Sequence, residues 1–442
     1  MATTNQAGAS PQAELKKDVR LPLPKADKYI WAIYILMLLV SVVELYSASS
    51  REVQASNVFG PLLRHGRLLL IGVAITVGIS RLKYIWFYRC TIAFGIIAVI
   101  LGFYVLFKGD IINGARRSTT ILGIPLQPSE ILKLAVVLFI AYIMSIMQTR
   151  KGVRTSAVVW SAGAVLLCGG LLFTQGLTNT LLLMGVSFAM MLIGGVQWSK
   201  FGIMLAIYAI VGGGFYYVKH LNDKNIDHIE QQTILETGKD SSGKEATADR
   251  TGLQKGRIAN WLGDSIPKYK KEITSVNRQE MYSYMAQAHG GISGVLPGNS
   301  RETSRLPLAF SDYIFAIVVE DWGLIGGIGL LVLYLALLGR AGAIAARCSR
   351  AFPALLVMGM AVMIVLQALF HMAIVTGVFP VSGQPLPLIS KGGSSIIVTS
   401  IAFGIMLSVS RYAVQSNKQK DINAEILELP EELSAENRGK LI

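Results

Sequence analysis

The stretch DYIFAIVVEDWGLIGGIGLLVLYLALLG, residues 312–339, decides the fold. It opens on an aspartate, carries no charge from Tyr313 to Val319, and is long enough to cross a bilayer. A helix needs about 20 predominantly apolar residues for that. Similar runs recur along the chain, and the expected spans are 30–48, 67–80, 92–107, 129–147, 156–173, 179–196, 201–218, 312–339, 353–376 and 393–412. The expected class is all-α: a polytopic membrane protein with about ten transmembrane helices and a long outer loop, 219–311, between the seventh and eighth.

Composition points the same way. Of 442 residues, 52% are hydrophobic and 15% charged, and the mean hydropathy is +0.50. A soluble domain carries charge on about a quarter of its residues. The net charge of +14 comes without a basic-aromatic module, so no nucleic-acid partner is expected. In a membrane protein such charge marks cytoplasmic loops and anionic headgroups. Cys90, Cys168 and Cys348 are far apart and lack metal-ligand spacing,.

Residues 1–28 are polar, include Lys16, Lys17, Arg20, Lys25 and Lys28, and read as a disordered cytoplasmic tail rather than a signal peptide,. Residues 29–412 form the membrane domain and 413–442 a cytoplasmic C-terminal tail. With the N-terminus inside, tail and inner loops hold fifteen Lys and Arg against seven in the short outer loops. Both ends are therefore expected in the cytoplasm. The outer loop begins with polar sequence such as TGKDSSGKEATADR, whereas MYSYMAQAHGGISGVLPGNS is able to pack on the bundle.

Three polar clusters fall on the outer side. In NGARRSTTILGIPLQPSEILK, residues 113–133, Pro128 and Ser129 start a helix, and Glu130 and Lys133 share a face at i,i+3,. The pair serves either helix packing or a polar substrate site, since charge at membrane depth is a functional candidate. Arg116 and Arg117 suit headgroup anchoring or direct phosphate binding. In FPVSGQPLPLISKGGSS, residues 379–395, Gly392, Gly393, Ser394 and Ser395 enter the last span behind Ser390 and Lys391. Backbone N–H groups at a helix start favour an anion; an ordinary capped turn is the other reading. Third, Ser311 and Asp312 are both good N-caps. Gln367 and His371 look like interhelical hydrogen-bond partners, as does Glu44.

In order along the chain, YSASS (46–50), NGARR (113–117), QPSEILK (127–133), SDYIFAIVVED (311–321), TGVFP (376–380) and LPLISKGGSS (386–395) resemble the SEDS family of shape, elongation, division and sporulation proteins. LPLIS is similar to the FtsW branch rather than the RodA branch. The resemblance implies a peptidoglycan glycosyltransferase that polymerises lipid II outside the cytoplasmic (inner) membrane, with inversion and an undecaprenyl pyrophosphate leaving group. It implies septal synthesis in cell division, with a lipid II flippase or the RodA-type elongation polymerase as alternatives. Asp312 is then the catalytic residue, and Glu130 and Lys133 belong to the functional cavity. Arg116, Arg117, Lys133 and Lys391 are cation candidates, and the entry from Ser390 through Gly392, Gly393, Ser394 and Ser395 completes the substrate-binding set. The implied partners are lipid II, a class B penicillin-binding transpeptidase and other divisome proteins. No protein-bound metal is assigned, and a divalent cation at the pyrophosphate stays open. The chain departs from the family at Lys391, where an aromatic is usual, near Ser118, where a Trp is common, and at Leu308, where an acidic residue often stands.

Overall fold

The computed structural model describes residues 24–48, 59–112, 115–121, 124–149, 152–173, 176–206, 208, 273, 277–306 and 309–428. The first helices are α1 (Lys28–Ala48), α2 (Phe59–Arg81) and α3 (Tyr84–Lys108). A small antiparallel sheet, β1 (Asp110–Ile112), β2 (Ala115–Ile121) and β3 (Ile124–Leu126), leads into α4 (Pro128–Ile146). The hairpin β4 (Gln148–Thr149) and β5 (Gly152–Val153) precedes α5 (Thr155–Phe173) and α6 (Leu177–Ile193). Then come α7 (Arg278–Gly290), a 3-10 turn at Glu302–Ser304, α8 (Ile314–Ala345), α9 (Ala351–Val375) and α10 (Gly393–Glu428).

Among the described residues eight helices are long and apolar enough to cross a membrane: α1 to α5, α8, α9 and the part of α10 up to Tyr412. The apolar α6 is shorter, and residues 201–206, helical from residue 198 on, begin the expected seventh span. Residue 207 and all after 208 in that span lie outside the described residues, as do 219–272 of the outer loop. So do residues 1–23 of the expected N-terminal tail.

The sorting of helices follows their side chains. α9 and α10 bury 78% and 83% of their most apolar windows, and α3 only 22%. α9, mostly apolar and largely buried, packs against α8, α4, α6 and α10, so it forms the centre. α3 leaves Ile96, Ile97, Ile100 and Phe107 exposed, as a lipid-facing helix does,. α2 and α10 approach closely through glycine: a Cβ at Gly72 would stand 2.6 Å from Ser400 Oγ, and one at Gly404 2.8 Å from Ile79 Cβ,.

Three features differ from the sequence reading. The polar stretch after α3 folds as strands, with Ile111 opposite Arg116 and Ile112 opposite Ala115. The eighth span is broken, because Gly323 sits at φ 69°, ψ −169° inside α8. And α10 does not stop with its apolar part; the polar continuation lacks Gly and Pro as far as Glu428, and Pro430 follows,.

Candidate active site

The three sequence clusters meet at one end of the bundle. Pro128 occupies the first turn of α4, where its missing N–H costs nothing,. That start places Glu130 and Lys133 on the buried face, and Lys133 Nζ donates to Glu130 Oε1 at 2.7 Å and to Gln367 Oε1 of α9 at 2.8 Å. Gln367 Nε2 in turn donates to the Pro385 carbonyl at 3.3 Å. The pair is thus tied to the irregular segment 376–392.

That segment lies between α9 and Asp312. His371 Nδ1 lies 2.6 Å from the Gln384 carbonyl, and Gln384 Nε2 donates to Asn179 Oδ1 at 3.0 Å. Tyr334 OH donates to the Pro387 carbonyl at 2.6 Å. Ser390 Oγ accepts from the Leu386 N–H at 2.7 Å and donates to the Ser311 carbonyl at 2.8 Å. The Lys391 N–H donates to the Phe310 carbonyl at 2.9 Å, and Lys391 Nζ stands 4.3 Å from the Phe310 ring centre. Non-helical backbone near a membrane needs such internal partners.

Asp312 rests on this segment. A Cβ on Gly383 would come within 2.9 Å of Asp312 Oδ2, so the glycine lets backbone pass beside the carboxylate. Ser311 Oγ donates to Asp312 Oδ1 at 2.9 Å. The capping position of α8 falls at Tyr313, whose side chain makes no capping hydrogen bond.

At the entry of α10, Gly392 supplies the carbonyl that accepts from the Ile396 N–H at 3.0 Å. Gly393, Ser394 and Ser395 form the first turn, with Ser394 and Ser395 buried. Ser395 Oγ has no hydrogen-bond partner among the described residues. Arg116 and Arg117 lie on β2, which packs against α3 and α4, while β3 packs against α10. Among the described residues no three His, Cys, Asp or Glu gather to hold a metal ion.

Sequence reasoning missed two groups. His65 on α2 is buried, with Ser41 Oγ 2.9 Å from Nε2 and no partner at Nδ1 among the described residues. Glu320 and Asp321 are fully buried at the break in α8. The signal for them was in view: two adjacent acids followed by Trp322-Gly323 inside an apolar run do not suit a lipid-facing helix.

A bundle of long apolar helices that buries Lys, Glu, Asp and Gln at one end is a multi-pass membrane protein with a polar cluster at that face. The family model described as cell cycle protein, for FtsW, RodA and SpoVE, matches residues 27–415, and the chain belongs to this family. It is similar to a probable peptidoglycan glycosyltransferase FtsW of Geobacter metallireducens, 28% identical over 88% of this chain and 97% of that protein. It is also similar to stage V sporulation protein E of Bacillus subtilis, 27% identical over 88% and 97%. Among solved structures, a chain from "Structural coordination of polymerization and crosslinking by a peptidoglycan synthase complex" has TM-score 0.64 at 22% identity, over 88% of this chain and 99% of that one. RodA of Thermus thermophilus has TM-score 0.58 at 22% identity, over 87% and 97%. These two establish the shared fold.

Proposed function

We propose that the chain is a peptidoglycan glycosyltransferase that polymerises lipid II, with Asp312 as the general base. The observation that carries this reading is full-length similarity to proteins named peptidoglycan glycosyltransferase FtsW. The local geometry supports it: a carboxylate beside glycine backbone, next to a segment tied to a buried Glu–Lys pair.

The chemistry needs little more. A sugar hydroxyl oxygen attacks the anomeric carbon, the bond to the pyrophosphate oxygen breaks, and the hydroxyl proton passes to Asp312. Glycosidases need a second carboxyl to protonate the leaving oxygen. Pyrophosphate leaves as an anion, so positive charge and N–H dipoles take that place. Lys133, Lys391, Arg116, Arg117 and the turn from Ser390 through Gly392, Gly393, Ser394 and Ser395 are the candidates. A divalent cation at the pyrophosphate is compatible with this scheme. A positioned base is worth about a hundred- to ten-thousand-fold in rate.

The remaining assignments belong to the same proposal. The end carrying Asp312 faces outward, both termini are cytoplasmic, and the chain works at the division septum with a class B penicillin-binding protein and other divisome proteins. Purified chain supplied with labelled lipid II and that transpeptidase tests the reading. Glycan strands are expected; transfer between leaflets without strands means a flippase, and neither product leaves a scaffold.

A further inference from the structure

We propose that Glu320 and Asp321 are positioning residues: their buried carboxylates clasp the outer segment 298–302 to the break in α8 and so fix the turn that carries Asp312. The inference rests on the proposed role of Asp312 as base.

The clasp is dense. Glu320 Oε1 accepts from the Arg301 N–H at 2.9 Å and the Glu302 N–H at 3.2 Å, and His289 Nδ1 lies 2.9 Å away. Ser300 Oγ donates to Asp321 Oδ1. Ser47 at the end of α1 accepts from the Gly298 N–H at 3.1 Å, and Trp322 Nε1 donates to Glu44 Oε1 at 2.8 Å. The backbone joins in. Val295 and Leu296 N–H groups donate to the Glu320 and Asp321 carbonyls at 3.0 and 2.9 Å, and Leu324 N–H to the Gly291 carbonyl at 2.9 Å. This fit needs glycine: a Cβ on Gly290, Gly294 or Gly323 would overlap the facing backbone.

The consequence reaches Asp312 along two routes. Every residue from Ile314 to Asp321 is buried, so this first part of α8 is a rigid bar between Asp312 and the clasp. The chain also leaves the clasp at Glu302, whose carbonyl accepts from the Arg305 and Leu306 N–H groups at 3.0 and 2.8 Å, and Phe310 and Ser311 follow a few residues later in the sequence. Those two are held from the far side by Lys391 and Ser390. Burying two adjacent carboxylates is costly unless donors repay it. Here the donors come from the segment that closes the frame around Asp312.

The test compares wild type, Glu320→Ala, Glu320→Gln and Ser300→Ala as purified full-length chain, by amide hydrogen exchange and by lipid II polymerisation. In Glu320→Ala, exchange at 298–306 and at 310–316 accelerates at least about tenfold. Its kcat falls about ten- to a hundredfold while KM stays within about threefold. Glu320→Gln keeps an acceptor oxygen and restores most of both. Ser300→Ala leaves both carboxylates in place and moves exchange and kcat the same way by a smaller factor, which decides the matter if Glu320→Ala does not fold. A fall in kcat with unchanged exchange, faster exchange with unchanged kcat, or a rise in KM alone overturns the proposal. If wild type itself makes no strands, the enzyme reading fails, while exchange at 310–316 still decides whether the clasp orders the turn.

Discussion

The two ends of the bundle treat charge differently. At one end Asp27 sits just before α1, and Arg340 of α8 meets it with Nε 3.0 Å from both carboxylate oxygens. The Tyr29 and Ile30 N–H groups add 3.0 and 3.1 Å bonds, and the guanidinium also covers the Tyr29 ring at 4.4 Å. At the other end Glu130, Lys133, Glu320 and Asp321 are almost fully buried, and Glu320 Oε2 and Asp321 Oδ2 have no partner among the described residues. The first end is a half-wet, satisfied latch. The second spends stability on buried, incompletely paired charge. Folding does not require that arrangement, so it marks where chemistry is to be sought.

The largest expected effect separates the two ends by activity. Asp312→Asn keeps the shape but not the base, and lowers lipid II polymerisation at least about a hundredfold. Its melting temperature stays near that of wild type, because Asn keeps the size of the side chain and an acceptor oxygen for Ser311 Oγ,. Near-normal polymerisation by this variant removes Asp312 from the reaction and leaves that end without its defining residue.

Next comes the buried pair. Lys133→Met strands Glu130 beside Gln367 and costs about 3–5 kcal/mol, read as thermal unfolding. Adding Glu130→Leu removes the uncompensated charge and brings stability back to within about 1 kcal/mol of wild type. Polymerisation stays down at least about tenfold in the double variant if positive charge serves the leaving group. Recovery of both quantities together makes the pair a packing device only, like the latch at the far end.

How much of this was legible in the sequence follows from the same contrast. The spans that lie within the described residues, the helix start at Pro128, and the interhelical links of Gln367 and Glu44 were readable because each depends on hydropathy or on a short-range rule; His371 bonds instead to the irregular segment. Gln367 meets Lys133, His371 meets the Gln384 carbonyl, and Glu44 meets Trp322. The strands around Arg116 were missed although the dipeptide Asn113-Gly114 is by itself a hairpin-turn signal,; membrane patterning drew attention to helices alone. The clasp was not legible, because Glu320 and Asp321 gain meaning only from donors at 289 and 300–302 across a loop. Sequence periodicity cannot report which backbone comes to rest against a helix break.

A smaller effect probes that break. Gly294 has φ +79°, and a Cβ there would meet the Asp321 carbonyl and the Gly323 nitrogen. Left-handed backbone alone costs an L-residue about 1–2 kcal/mol. Gly294→Ala therefore speeds amide exchange at 291–299, and leaves exchange around Asp27 and Arg340 unchanged. Faster exchange at both ends means the bundle unfolds as one unit and the ends are not independent.

The smallest effect belongs to the latch, and pH exposes it. Burial pushes the Asp27 carboxyl up, but hydrogen bonds from Arg340, Ile30 and Tyr29 and the Arg340 charge outweigh it and hold the group below the ordinary carboxylate range. A carboxyl whose folded pKa lies below its unfolded value, about 3.9, stabilises the fold fully above the unfolded value. That contribution fades as pH falls through the folded one. Because the pair is partly open to solvent, its worth is at most about 1 kcal/mol. Asp27→Asn should therefore melt slightly below wild type at neutral pH, with polymerisation unchanged, and the gap should close below about pH 4. A gap that widens on acidification reverses the sign of the linkage and contradicts the hydrogen-bonded carboxylate at this end. A destabilisation as large as that of Lys133→Met means that solvent access does not separate the two kinds of charge, and the contrast between the ends fails with it.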